Sequence, residues 1–225
     1  MSIISFASSK GGAGKTTACI ILGTEFAEQG RVTMIDADPA QRLVAWAKRG
    51  NLPAQITVKK CLDLKDLDSL LRSARDRSDV TLIDLEGIAS RLNSAVIARS
   101  NLVIIPMGDE QQDATAAVET IREIKIDEVT LGRHIPYRVL FTRTKAAVKS
   151  NLAKMINGEI RKSVECLTVE LCDRTAYSNL HNTGGGLREL PDRVGGLEKA
   201  IINANTFAGE VYAVLTNKSE QKSVA

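Results

Sequence analysis

The residues with the clearest chemical potential are Ser9-Lys10-Gly11-Gly12-Ala13-Gly14-Lys15-Thr16-Thr17, set between an apolar segment and an amphipathic one. Small residues at 11 to 14 allow consecutive backbone N–H groups to converge on a phosphate, and a helix starting at Lys15 adds the positive end of its dipole. In such a loop Lys15 contacts the β- and γ-phosphates and the Thr16 hydroxyl ligates Mg²⁺. Gly11, Gly12, Ala13, Gly14 and Thr17 complete the nucleotide-binding set. One position departs from the G-x-x-x-x-G-K-T pattern, because Ser9 stands where the first glycine belongs and Lys10 follows it. Carboxylates then recur at the ends of apolar runs. Asp36 and Asp38 close Met34-Ile35-Asp36-Ala37-Asp38, and Asp84 closes Val80-Thr81-Leu82-Ile83-Asp84. The second run has the form whose acid holds Mg²⁺ directly or through water. Gly87, three residues after Asp84, can present a backbone N–H to a terminal phosphate. Asp38-Pro39 also reads as a helix N-cap followed by a first-turn proline.

These residues need elements to position them. Short β-branched runs alternate with longer amphipathic stretches, which predicts an α/β fold: a mostly parallel twisted sheet with helices on both faces, of the P-loop nucleotide-binding kind. Strands are predicted at Ile3–Ala7, Val32–Asp36, Ile56–Lys59, Val80–Asp84, Leu102–Pro106, Tyr137–Thr142 and Cys166–Leu171. Helices are predicted at Lys15–Gln29, Ala40–Lys48, Leu64–Arg75, Ser90–Ala98, Ala114–Lys125, Ser150–Arg161 and Leu197–Leu215. Residues 1–215 form one expected domain, and polar 216–225 an expected flexible tail. The glycines 184 to 186 read as a loop.

Composition excludes several classes. No apolar run approaches the roughly 18 residues that a membrane helix needs, and the N-terminus lacks the layout of a signal peptide, so a soluble, cytoplasmic protein is expected. Cys19, Cys61, Cys166 and Cys172 form no C-x-x-C pair and read as reduced core thiols. The formal charge of +3 is mild, but Arg133 to Lys162 holds Arg138, Arg143, Lys145, Lys149, Lys154 and Arg161 against one acid, Glu159. Lys145, Lys149, Lys154, Arg161 and Lys162, with Arg188 and Arg193, are therefore candidate contacts to nucleic-acid phosphates.

The segment Lys10-Gly-Gly-x-Gly-Lys15-Thr-Thr resembles the deviant phosphate loop of the ParA/MinD class, and the layout is similar to the short, single-domain plasmid partition ATPases and to the ATPase of T-DNA transfer. Resemblance extends over residues 2–190. It implies an ATPase using ATP and Mg²⁺, with Lys10 reaching across a nucleotide-sandwich homodimer to the other subunit's phosphates. It gives Asp38 the attacking water and places Asp36 with Thr16 and Asp84 around the metal. Thr142, Arg143 and the Asp173-Arg174-Thr175-Ala176-Tyr177 stretch would frame the nucleotide. Asp113 falls near the start of a helix, where it is either a family feature or a plain N-cap. Leu85-Glu86 and Met107–Glu110 depart from the family pattern. The class further implies non-specific DNA binding, nucleoid association in the ATP state, a centromere-bound adaptor that stimulates hydrolysis, and a dimer that can extend into a polymer. The alternatives are an accessory ATPase of DNA transfer and a MinD-like spatial regulator on membranes. Phe207–Leu215 lacks the basic polar face that lipid requires and reads as a packing helix, so no membrane partner is expected.

Overall fold

The computed structural model describes residues 1–87, 90–145 and 150–223, with side chains to residue 217. Lys149 lies outside the described residues. Seven strands form one sheet: β1 (Ser2–Phe6), β2 (Val32–Ala37), β3 (Ile56–Lys60), β4 (Val80–Leu85), β5 (Leu102–Met107), β6 (Tyr137–Thr144) and β7 (Cys166–Cys172). Their order is β3-β2-β4-β1-β5-β6-β7, and every pairing is parallel. The helices are α1 (Lys15–Ala27), α2 (Arg42–Ala47), α3 (Leu64–Arg77), α4 (Arg91–Ile97), α5 (Gln111–Leu131), α6 (Asn151–Ser163), α7 (Thr175–Thr183) and α8 (Leu197–Ser223).

Alternation along the strands builds two cores. Ile4, Phe6, Leu102 and Ile104 meet α1, α2, α7 and α8 on one face, while Val103, Ile105 and Met107 meet α3 to α6 on the other. Burial on both faces explains why β5 is apolar throughout. The chain runs from β1 to β2, β3 and β4 on one side, then crosses to β5, β6 and β7 on the other. The switch point therefore lies at the carboxyl end of β1, where open α/β sheets hold ligands.

α1 lies close to the sheet because Gly23 has no side chain. A Cβ there would come 2.7 Å from Met34 Sδ and 3.2 Å from Leu82 Cδ1. Gly23→Val is expected to cost about 2 kcal/mol by overpacking, read as a lowered urea midpoint with an unchanged slope.

Two sequence readings need correction. α7 was contained in no predicted helix; its apolar residues Ala176, Tyr177 and Leu180 are too few to give a period. Thr216 to Ser223, expected as a flexible tail, continues α8, since extending a formed helix adds one hydrogen bond per residue fixed. Gly184 to Gly186 form the expected loop and are buried in it: a Cβ on Gly185 would lie 2.7 Å from the Asn51 carbonyl oxygen, and one on Gly186 2.8 Å from Thr24 Cβ. All four cysteines are free, but only Cys19 and Cys61 are fully buried.

Candidate phosphate-binding site

The loop from Ala7 to Gly14 leaves the carboxyl end of β1 and feeds directly into α1. Gly12 and Gly14 take φ of 76° and 95°, a region that side chains disfavour. Ser9 gains a purpose that the motif alone hides. Its N–H donates to Thr120 Oγ1 at 3.0 Å and its hydroxyl to the Ala116 carbonyl at 3.0 Å, so the substituted position ties the loop to α5. On the other side Thr142 Oγ1 donates to the Ala13 carbonyl at 2.8 Å. Thr142, expected as a nucleotide contact, is buried, braces the loop through this bond and also lines the cavity beside it.

Lys15 is buried, its Nζ within 3.5 Å of the carbonyls of Ser8 and Lys10. Burial lowers its pKa, while Asp84, Asp38 and Glu86 act in the opposite direction. Thr16 Oγ1 donates to Asp84 Oδ2 at 2.6 Å. Asp84 is wholly buried and its Oδ1 has no partner among the described residues. Burial pushes its carboxyl up to about 7, against the lowering effect of Thr16. An orphaned buried carboxylate oxygen beside a threonine hydroxyl fits a divalent cation, whose charge would offset that cost. Gly87 closes the site from above: a Cβ there would sit 3.5 Å from both Gly11 N and Lys15 Nζ.

The raised Asp84 pKa has a sign for stability. The native state holds this proton up to about pH 7 and the unfolded chain releases it near 4, so metal-free stability falls as pH rises between those values. Asp84→Asn is expected to raise the thermal midpoint of the metal-free protein at pH 8, by about 2 kcal/mol or more in stability. That gain should shrink toward pH 5. Calorimetry at the two pH values checks both statements.

Asp36 in β2 and Asp38 just beyond it accept from different backbone groups. Asp36 is buried, with Oδ1 accepting from the Asp38 N–H at 3.2 Å and Oδ2 from the Val44 N–H at 2.9 Å. Each oxygen accepts one backbone hydrogen bond and keeps a further lone pair, so Asp36 pins the β2–α2 turn with acceptor capacity to spare, opposite Asp84 across the sheet. Asp38 Oδ1 accepts from the Ala40 N–H at 2.8 Å, and Oδ2 lies 3.5 Å from Arg42. It is no N-cap: Gln41 holds that position and α2 starts at Arg42.

Lys10 points away from Lys15. Its Nζ lies 2.8 Å from Asp113 Oδ1, a side chain only 1% exposed in the first turn of α5. Asp113 is not the N-cap of α5 either, since Glu110 takes that place. Arg143, at φ 55°, brings its guanidinium within 3.4 Å of both Asp113 oxygens, so this residue faces Lys10's partner as well as the nucleotide side. A strained non-glycine residue of this kind persists only where neighbours fix it.

Gly12, Gly14, Thr17, Arg143 and Arg174 line a cavity of about 180 Å³ beside the loop. Arg174 Nε is buried there without a partner among the described residues. His181 of α7 also lines it, with Nε2 2.8 Å from Thr17 Oγ1. Sequence reading missed His181, because a lone histidine in an unpredicted helix gives no signal.

The candidate DNA contacts are not brought together. Arg161 lies over the Phe141 ring at 4.4 Å and pairs with Glu170 at 3.1 Å. Lys162 pairs with Glu159 at 3.4 Å, and Arg188 with Glu25 at 2.6 Å. Arg188 stands in a 3-10 turn packed with α1 and α8, whereas Lys154, Arg161 and Lys162 ride on α6 across the sheet. Lys145, Lys154 and Arg193 are exposed, with no ion pair among the described residues.

Comparison with known proteins places this geometry. A family model described as VirC1 protein matches residues 1–189. The ParA protein of Rhizobium radiobacter is 37% identical over 218 residues, 96% of this chain and 98% of that one. The virC1 protein of the same organism is 30% identical over 192 residues, 82% of each. Among solved structures, a putative plasmid partition protein from Borrelia burgdorferi B31 bound to AMPPNP superposes with a TM-score of 0.70 at 19% identity, covering 93% of this chain and 99% of that one. At that identity the likeness establishes the fold alone. The matched residues include the loop, β4 and α7, and the chain belongs to the VirC1 protein family, among the ParA-type proteins that its loop resembles.

Proposed function

We propose that this chain is an ATP-dependent plasmid partition protein in which Mg-ATP drives a nucleotide-sandwich dimer that binds DNA without sequence preference. A centromere-bound adaptor then stimulates hydrolysis and releases the DNA. The observation that carries the reading is the pair of lysines with opposite directions: Lys15 turned into its own loop and Lys10 turned out of it toward Asp113. Relatedness to ParA over nearly the whole chain supports partition as the task.

Thr16 and Asp84 would hold Mg²⁺, which supplies charge neutralisation at the phosphate oxygens when bound. Backbone N–H groups of Gly11 to Thr16 bind the phosphate chain, with Lys15 at its β- and γ-positions. Asp38, oriented by the turn that Asp36 pins, positions the attacking water. Lys10 enters the partner's site, where a cation stabilises charge that develops in the transition state. ATP favours the closed dimer because only there does Lys10 meet a phosphate. Thr17, Arg143 and Arg174 border the remaining part of the nucleotide, and residues 1–215 act as one ATPase domain.

DNA binding rests on the exposed Lys145, Lys154, Lys162 and Arg193; the first two and Arg193 make no ion pair among the described residues, Lys162 makes only an exposed one, and Arg161 and Arg188 are held by Glu170 and Glu25. The test is binding to random-sequence duplex DNA with no nucleotide, with ADP, and with a slowly hydrolysed ATP analogue, over a salt series. Binding only in the ATP state, with affinity falling steeply as salt rises, is the expected result. Nucleotide binding without DNA binding in any state would leave the ATPase and remove the DNA step. Plasmid loss after gene deletion separates partition from accessory DNA transfer. No helix among the described residues is long and apolar enough to cross a membrane.

A further inference from the structure

Arg174, the N-cap of α7, and Ser178 and His181 within it line the cavity beside the phosphate loop, so one face of that helix borders the site. His181 is the member whose bonding partner is defined: its Nε2 is 2.8 Å from Thr17 Oγ1. Thr17 follows Lys15 and Thr16 in the first turn of α1, where the N–H groups lack intrahelical acceptors and suit an anion. Its hydroxyl has one proton and two lone pairs. If the ring accepted that proton, Thr17 would turn only lone pairs toward a phosphate oxygen, which repels. If the ring donates, Thr17 keeps its proton for the phosphate. Only the second arrangement accommodates the ligand.

We propose that His181 is a positioning residue whose Nε2–H donates to Thr17 Oγ1 and so directs the Thr17 proton to the phosphate chain of a bound nucleoside triphosphate. The inference rests on the nucleotide reading above. It makes α7 part of the phosphate-binding apparatus, although that helix lies about 160 residues further along the chain than α1. The charged surroundings suit a neutral ring: burial lowers the histidine's pKa, and Arg42 of α2 and Arg49 just beyond it act in the same direction. Asp173 and Arg174 line the same cavity. A neutral ring with its proton on Nε2 makes the bond without adding a charge beside the loop.

Isothermal titration calorimetry with Mg-AMPPNP tests the proposal on the full chain, with wild type, His181→Phe, His181→Gln, Thr17→Val and the His181→Phe/Thr17→Val double variant. His181→Phe keeps the ring volume and loses the donor; it should weaken binding about 3- to 10-fold, the worth of one hydrogen bond. His181→Gln, whose amide N–H reaches a similar point, should return to within about 2-fold of wild type. On the Thr17→Val background His181→Phe should add no further loss, because the two residues act as one unit. A merely structural role for His181 would not give that non-additivity. Should His181→Phe fail to fold, His181→Asn supplies the same contrast, since its shorter amide stops short of Thr17. Unchanged affinity in His181→Phe or His181→Asn, additive losses, or no recovery with glutamine would overturn the inference while the nucleotide reading stands. If the wild type itself binds no Mg-AMPPNP, both fall together.

Discussion

Lys10→Ala protein is expected to bind Mg-ATP within about threefold of wild type, to remain monomeric in its presence, and to turn over about 10³-fold more slowly, the scale of removing a cation supplied in trans. The uneven pattern follows from where the side chain stands. Lys10 Nζ contacts Asp113 at 2.8 Å, with Glu110 at 3.9 Å, and these partners belong to α5 and its N-cap and not to the loop. Its loss therefore removes nothing that cradles the phosphates in the same subunit. What it removes is the group free to exchange a carboxylate partner for a phosphate when a second subunit arrives. Light scattering on a sizing column with AMPPNP reads the dimer, and phosphate release reads turnover. A Lys10→Ala protein that dimerises and hydrolyses normally would show that the lysine stays against the buried Asp113 carboxylate throughout.

Lys15→Ala should have the opposite signature: nucleotide affinity lowered by about 100-fold or more and hydrolysis below detection, with the fold intact. The amine is buried between the Ser8 and Lys10 carbonyls and faces Asp84, Asp38 and Glu86. In the empty protein that placement is costly, since a desolvated ammonium lowers stability unless paired. Removing it is thus expected to cost the fold little, while the phosphates lose their one buried cation among the described residues. Far-ultraviolet circular dichroism with equilibrium binding of a fluorescent ATP analogue checks both halves. Comparable affinity in Lys15→Ala would mean that backbone amides alone supply the binding.

The loop was legible because its chemistry is local. Glycines with positive φ, a lysine and a threonine must be adjacent to do this work, so their order in the chain is their geometry. The strands were legible for a similar reason: a parallel sheet covered on both faces leaves unbroken apolar runs such as Leu102 to Ile105. Contacts between distant segments were not. Nothing adjacent to Ser9 announces Thr120 and Ala116, more than 100 residues away, and nothing beside Thr17 announces His181. The ion pairs of the basic residues were hidden in the same way. Arg161 and Arg138 each pair with a glutamate from β7 or its approach, and Arg188 with one from α1. Asp36 shows the finer limit. Its neighbour across the sheet is Asp84, and nothing beside it in the chain announces that its second oxygen accepts from the Val44 N–H of α2.

The chain contains a single tryptophan, and the fold has given it an instructive address. Trp46 is 1% exposed, and its indole N–H donates to the Gly185 carbonyl at 3.0 Å, joining α2 to the turn that follows α7. One end of that bond lies four residues from Arg42, next to the β2–α2 turn that orients Asp38. The other lies four residues from His181. The protein consequently carries its own optical gauge: emission from one fluorophore, with no second indole to blur it, reports whether the turn at Asp38 and the helix bordering the phosphates move together or apart.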